Sequence, residues 1–493
     1  MTPMNFLFIT FDQFRGDCLS TAGHPVVRTP HLDRLASDGV RFARHYSQSA
    51  PCAPGRAALY TGMYQMNNRV VGNGTPLDHR FDNVARAARR AGFRPVLFGY
   101  TDQGIDPRHA DGPDDPRLSD YEGVLPGFDA ALELKGYPIT WIEWLERLGY
   151  DGVRGGERAL ETEPDRPAEH GITSFLTGEL LDWIDRQDSP WFAHASFIRP
   201  HPPYAAPGAW SQRYSPDDVE PAIAPGENLT ELHQLIRQLP PLAAPVDERS
   251  QRELRAQYYG MISAVDDQFG RIRAHLEASG QWENTFVIVT SDHGEQLCNH
   301  GLVQKMAFFE DSYHVVGIIR DPRPLAVRGL VVDDFTENVD IMPTVCDALG
   351  LDTPVQCDGL PLTPFLRGER PERWRDAAHW EFDWRSDVLP LGQWPWPWDR
   401  RLERMNLATI RTHDTAYVHF GDGTWRCFDL AADPTWRTEV SDPVRVLDHA
   451  QQLLTWRAQH ADRIMPSLVL RDGGIGRWPT DPATLELPVK SRA

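Results

Sequence analysis

Cysteine is scarce in this sequence, with six in 493 residues: Cys18, Cys52, Cys298, Cys346, Cys357 and Cys427. Their scatter has neither the spacing of a zinc site nor the density of a disulfide framework, and it fits a reduced, cytoplasmic setting. Long apolar runs are also missing, and none approaches the length of a membrane span. The start, MTPMNFLFITFDQFRGD, passes from a short apolar stretch straight into acidic sequence and does not read as a signal peptide. Positive charge is in deficit: 50 Lys and Arg against 70 Asp and Glu leave a formal −20, which argues against a general nucleic-acid partner. A small anion can still bind where cations gather locally. There is no internal repeat. What remains is 41% apolar residues, enough to fill one large core and a smaller one.

Four short runs rich in Phe, Val and Ile end in polar residues: NFLFITFDQ, RPVLFGYTD, PWFAHASFIRPH and NTFVIVTSDHGE. Continuous apolar strands suit the middle of a sheet covered on both faces, and open α/β sheets bind ligands at the carboxyl ends of their strands. Helical spacing is clearest over 250–279, with shorter helices expected over 83–91, 172–186 and 338–349. The alternation predicts a mainly parallel sheet. After about residue 370 the texture changes to HWEFDWR, LATIRTH and TAYVHFGDGTWRCFDL, with a helix near 444–459 and a hairpin at GDG. The expected division is a catalytic α/β domain over 1–370, a small α+β domain over 371–465 and an extended tail over 466–493. The stretches 102–170 and 200–248 read as loops that build the alcohol side of the pocket, the second, dense in proline, as an ordered loop over the site.

Asp12 and Gln13 follow the first strand, and Asp292 and His293 follow a later one. A lone Asp at a strand end caps a loop, but two such ends together can supply four ligands to one ion. In APCAPGRAALYTG, rigid prolines, a crowding-relieving Gly55 and an apolar-periodic continuation place Cys52 at or just before a helix start, which favours negative charge. A small packing cysteine is the plain alternative. A thiolate phosphatase loop needs five residues between Cys and Arg, and this chain has three.

CAPGR resembles the C-x-P-x-R signature of the sulfatases and phosphonate monoester hydrolases of the alkaline phosphatase superfamily. The likeness extends over TPHLDRLASDGVRFARHYSQSAPCAPGRAALYTG, VIVTSDHGEQLCNHGLVQKMAFFED and CFDLAADPTWRTEVSD, three separated blocks in the family's order. It implies an α/β/α sandwich with a mixed, mainly parallel sheet, followed by a small domain with an antiparallel sheet. It also implies that a maturation enzyme converts Cys52 to formylglycine, whose hydrate attacks phosphorus or sulfur beside a metal and then expels the product by re-forming the aldehyde. By the same resemblance Cys52 joins Asp12, Gln13, Asp292 and His293 at the metal. Arg56 holds the diol, Asn73 and Tyr100 hydrogen-bond the substrate, and His201 and Lys305 stand near the leaving oxygen.

The chain departs from the arylsulfatase pattern at two places. Its pairs Asp12-Gln13 and Asp292-His293 bring an imidazole to the metal, which favours manganese, with iron, zinc or calcium as alternatives, and looks like the phosphonate monoester hydrolase branch. In GYTDQGIDPRH, Asp102 and Pro107 stand at the family's threonine and lysine places, while His109 remains. One cation of the sulfate clamp is therefore missing, and singly charged esters are expected: phosphonate monoesters and phosphodiesters first, sulfate esters second. An inactive anion-binding protein is the rival from another class, and a metal-dependent mutase would use Ser or Thr in place of Cys52. An assembly of identical chains, dimer or tetramer, is the expected state, with the tail after Pro466 able to reach a neighbour. Trp394, Trp396 and Trp398 are read as interdomain packing.

Overall fold

The computed structural model describes residues 4–135, 138–151, 153, 155–383, 403–404, 406–461, 468–471 and 474–477. Eight strands form the main sheet: β1 (Asn5–Phe11), β2 (Val40–Tyr46), β3 (Pro95–Gly99), β4 (Asp129–Glu133), β5 (Phe192–Phe197), β6 (Thr285–Ser291), β7 (Gly317–Arg320) and β8 (Leu330–Glu337). Their order is β4-β3-β5-β1-β6-β7-β2-β8. All neighbours run parallel except β7, which is antiparallel to β6 and β2.

The four strands expected from the apolar runs, β3, β5, β1 and β6, are adjacent at the centre. Their lack of polar alternation has a direct cause, since both faces are covered. Leu7, Ile9 and Phe11 of β1 pack with Leu176, Leu180, Ile262, Val265 and Phe269, from the helices Ile172–Ile184 and Glu248–Ala278. Phe6 and Phe8 face the other way, toward Ala57, Leu59, Val84 and Val345 of the helices Cys52–Thr61, Val84–Arg90 and Ile341–Ala348. Such alternation about one strand yields the three-layer α/β/α arrangement. Registers pair Phe11 with both Phe197 and Ser291, so the strands' carboxyl ends are level and open onto one place.

A second sheet of four antiparallel strands follows, ordered β12-β11-β10-β9: β9 (Ala378–Asp383), β10 (Asn406–Arg411), β11 (Thr415–Phe420) and β12 (Trp425–Asp429). The hairpin falls at GDG, where Gly423 takes φ +84°, and the helix Pro443–His460 packs on this sheet through Leu453 and Trp456. β9 also braces the start of the chain. The Glu381 N–H donates to the Gln48 carbonyl (2.9 Å), and its carboxylate accepts from the Met66 N–H (2.9 Å). The helix that begins at Cys52 is thus gripped on both sides.

Two regions differ from expectation. The stretch 102–170, read as loop, carries β4 and the helices Ile139–Arg147 and Gly156–Glu161, the first anchored by buried Trp141, Ile142 and Leu145. Part of the expected tail forms an antiparallel pair, Leu468–Arg471 with Gly474–Arg477. The proline-dense stretch 200–248 is mostly irregular and lies against the segment after β6, with the Val303 N–H donating to the Leu242 carbonyl (2.8 Å). Trp394, Trp396 and Trp398 lie outside the described residues. Among the described residues no helix is long and apolar enough to cross a membrane. All six cysteines are free and buried.

Candidate active site

The carboxyl ends of β1 and β6 deliver Asp12 with Gln13 and Asp292 with His293, and the first residue of the helix Cys52–Thr61 projects between them. Donor atoms of Asp12, Cys52, Asp292 and His293 lie within 4.8 Å of one another, all buried. The Cys52 thiol is 3.2 Å from His293 Nε2 and 3.9 Å from Asp12 Oδ1. Close approach of helix and strand end requires glycine at 55, because a Cβ there would stand 2.5 Å from the Asp292 carbonyl oxygen.

Arg56, one helical turn beyond Cys52, ties together the ends of four adjacent strands. Its Nε donates to Asp292 (2.9 Å), Nη2 to Asp12 (3.1 Å), and Nη1 to Ser196 Oγ (2.7 Å) and the Tyr100 carbonyl (3.1 Å). These partners follow or end β6, β1, β5 and β3. The guanidinium also lies 4.2 Å from the centre of the Tyr100 ring and 3.5 Å from the Asp102 carboxylate.

The electrostatics suit a cation. Burial pushes the Asp12 carboxyl upward, but His201, Arg56, His293 and Lys305 outweigh it and hold the group well below the usual carboxylate range. Burial and the charge of Asp12 push Asp292 up. His293 is driven well below its ordinary value by burial and Lys305, and its Nδ1–H donates to the Gly294 carbonyl (3.0 Å), so Nε2 is left as a neutral donor atom. Two crowded carboxylates and a neutral imidazole fit a divalent ion, and the nitrogen suits manganese, iron or zinc. The Cys52 thiol, by contrast, is pushed up by burial and by Asp12, which leaves an unmodified cysteine here protonated and a poor nucleophile.

Gln13 borders this cluster. Its N–H donates to Asp292 (3.1 Å), its side-chain Oε1 accepts from Lys305 Nζ (2.9 Å), and its Nε2 donates to Glu295. Lys305 also donates to His201 Nε2 (3.1 Å), while the His201 Nδ1–H donates to the Pro202 carbonyl (2.8 Å). Burial and Lys305 bring His201 down to about 4; for Lys305, burial is outweighed by the carboxylates Asp12, Asp292 and Glu295, so it keeps its proton. In this pair Lys305 carries the positive charge. The Tyr100 hydroxyl donates to Asp12, and Asn73 Oδ1 accepts from the Ala53 N–H (3.0 Å), so both support the site's framework.

Arg108 does not replace the missing cation. It turns outward onto Asp106 (2.6 Å) and Asp78 (2.9 Å), and His109 lies exposed over the ring of His79. Asp102, by contrast, is buried at φ +52° beside Arg56, and burial raises its carboxyl well above the usual range. Sequence reasoning missed Ser196, Glu295 and Tyr204. The signal for Ser196 was a polar residue inside an apolar strand; the Tyr204 hydroxyl and Gln13 meet on Glu295 only through the fold.

Level strand ends carry a buried carboxylate–imidazole cluster that could hold a metal ion, with the Lys305 ammonium on its border. A family model described as Sulfatase matches residues 4–351, and one described as N-sulphoglucosamine sulphohydrolase, C-terminal, matches 298–459. The chain belongs to the sulfatase family. A solved phosphonate monoester hydrolase of Agrobacterium radiobacter superposes with TM-score 0.87 at 42% identity, covering 96% of this chain and 99% of that one. The multifunctional alkaline phosphatase superfamily protein PehA of Trinickia caryophylli is 33% identical, over 94% of this chain and 97% of its own length. An arylsulfatase of Clostridium perfringens is 28% identical over 78% and 82%.

Proposed function

We propose that this enzyme hydrolyses phosphonate monoesters and phosphodiesters, using a formylglycine generated from Cys52 and one divalent ion, manganese first, at Asp12, Gln13, Asp292 and His293. The observation that carries the reading is the place of Cys52, the first residue of its helix, with Sγ 3.2 Å from His293 Nε2 and 3.9 Å from Asp12 Oδ1 and with Arg56 of the same turn bound to Asp12 and Asp292. A side chain in that place stands where an attacking group beside the ion is needed. Hydrated formylglycine beside the ion would supply the attacking oxygen.

The remaining work falls to the chain's own side chains. Arg56 holds the two carboxylates apart and in register. Tyr100 fixes Asp12, and Asn73 fixes the helix start. Lys305 meets the charge that grows on the departing oxygen, and His201 orients it by accepting one of its N–H bonds. Charge sets aside doubly charged phosphate monoesters, because Arg56 is shared by Asp12, Asp292 and Asp102 and Arg108 is turned away, which leaves few cations for them. Among the singly charged esters, similarity to the Agrobacterium phosphonate monoester hydrolase supports putting the phosphorus esters ahead of sulfates.

The test is a side-by-side comparison of kcat/KM on an aryl phosphonate monoester, an aryl phosphodiester and an aryl sulfate with matured, manganese-loaded enzyme. The phosphorus esters are expected to exceed the sulfate by about 10-fold or more, which corresponds to only about 1.4 kcal/mol of transition-state preference. A sulfate rate higher by orders of magnitude would make the enzyme an arylsulfatase, the activity named for the Clostridium relative.

A further inference from the structure

Arg199 precedes the turn that carries His201, and it is fully buried although nothing in the hydrolytic scheme calls on it. Every one of its five N–H donors is engaged. Nε and Nη2 both donate to Glu163 Oε2, the former at 2.8 Å, and Nη2 also donates to the Leu160 carbonyl (3.0 Å). Nη1 donates to the carbonyls of His201 (2.8 Å) and Pro203 (2.7 Å), on either side of the residue whose carbonyl holds the His201 ring. Glu163 is equally buried, and its second oxygen accepts from the Ile172 N–H (2.8 Å), fixing it to the start of the helix Ile172–Ile184. The far end of the turn is tied by Tyr204, which donates to the same Glu295 that receives Gln13.

A buried ion pair is a poor way to gain stability, because desolvation offsets most of the attraction. This one buys geometry instead. Only a forked, five-donor cation can grip two carbonyls of a turn while two other N–H groups stay locked on a carboxylate. The turn so gripped presents His201 Nε2 to Lys305 Nζ at 3.1 Å.

We propose that Arg199, held by Glu163, is a positioning residue that sets His201 and Lys305 against the departing oxygen of the ester. The claim rests on the hydrolase reading above and deepens it by coupling departure of the alcohol to the segment 155–171. Neither residue touches the reacting atoms. Their contribution should therefore grow as the leaving group becomes less able to bear charge by itself.

The experiment compares parent, Arg199→Lys and Glu163→Gln enzymes on aryl phosphodiesters running from para-nitrophenyl to unsubstituted phenyl. Arg199→Lys keeps the ion pair with Glu163 but loses the fork. The expected loss in kcat is below about 3-fold for para-nitrophenyl and rises to about 30-fold for phenyl, with KM nearly constant. In a His201→Ala background the same substitutions should add no further dependence on leaving group. A loss of equal size across the series, or one that persists undiminished without His201, would overturn the proposal. Should Glu163→Gln prove too unstable by its thermal midpoint, Arg199→Lys decides alone. If the parent hydrolyses none of these esters, the hydrolase reading falls by itself. The positioning claim is then read from the NMR signals of labelled His201, which must shift in Arg199→Lys and not in Arg108→Lys.

Discussion

Asp12, Cys52, Asp292 and His293 form one group of side chains whose donor atoms lie within 4.8 Å of one another, and Asp78, His79 and Asp106 form another. The two differ in charge and water. In the first, every residue is buried, and two cations, Arg56 and Lys305, face four buried acidic groups, Asp12, Asp102, Asp292 and Glu295, so acidic groups outnumber cations in a dry place. In the second, exposed Arg80 and Arg108 pair with half-buried Asp78 and buried Asp106, and the charges already cancel. Donor spacing alone does not distinguish them. Unbalanced charge in a low-dielectric setting does, because only there is a cation's attraction both large and otherwise unmet.

Breaking the first group and sparing the second gives the largest contrast. Cys52→Ala is expected to lower kcat/KM by about 10³-fold or more, while His79→Ala changes it less than about 2-fold, in steady-state assays on an aryl phosphodiester. Equal effects would erase the distinction. Stability should follow the same divide. Arg56→Met removes the guanidinium shared by the buried carboxylates Asp12 and Asp292 and should cost about 3–5 kcal/mol in urea unfolding of metal-free protein. Arg108→Ala opens pairs made by an exposed guanidinium and should leave the urea midpoint nearly unchanged. The smallest and sharpest difference concerns metal content, read by elemental analysis after desalting. The parent and Asp106→Asn should retain one manganese per chain, and Asp292→Asn should bind it at least about 10-fold more weakly. A second equivalent lost in Asp106→Asn would make the outer group a metal site after all.

Much of this could be read before the fold was known, and the reasons are local. NFLFITF and TFVIVTS are apolar at every position because both faces are covered, and the chemistry begins at the residue where each strand stops. Cys52 was legible from its prolines and from the helix that follows. The outer strands were not. β2, VRFARHY, is only half covered and carries charges along its length, so its pattern resembles neither a buried strand nor a clean alternation. The partners of Arg56 were equally hidden. Ser196 is 140 residues away in sequence and Asp292 is 236, and nothing within either segment announces the other. Asp102 was visible only as a departure from pattern; its place beside Arg56 depends on a left-handed turn that Asp tolerates better than most residues. Arg199 reads as an ordinary loop arginine until Glu163 is brought against it.

Every residue from Cys52 to Thr61 is buried, and Arg56 has no accessible surface at all. If Cys52 is converted as proposed, an enzyme that must read cysteine, proline and arginine as one word can do so only while the polypeptide is still open. On that reading the conversion belongs to the time of synthesis, and a chain that collapses unaltered has closed the door on its own completion.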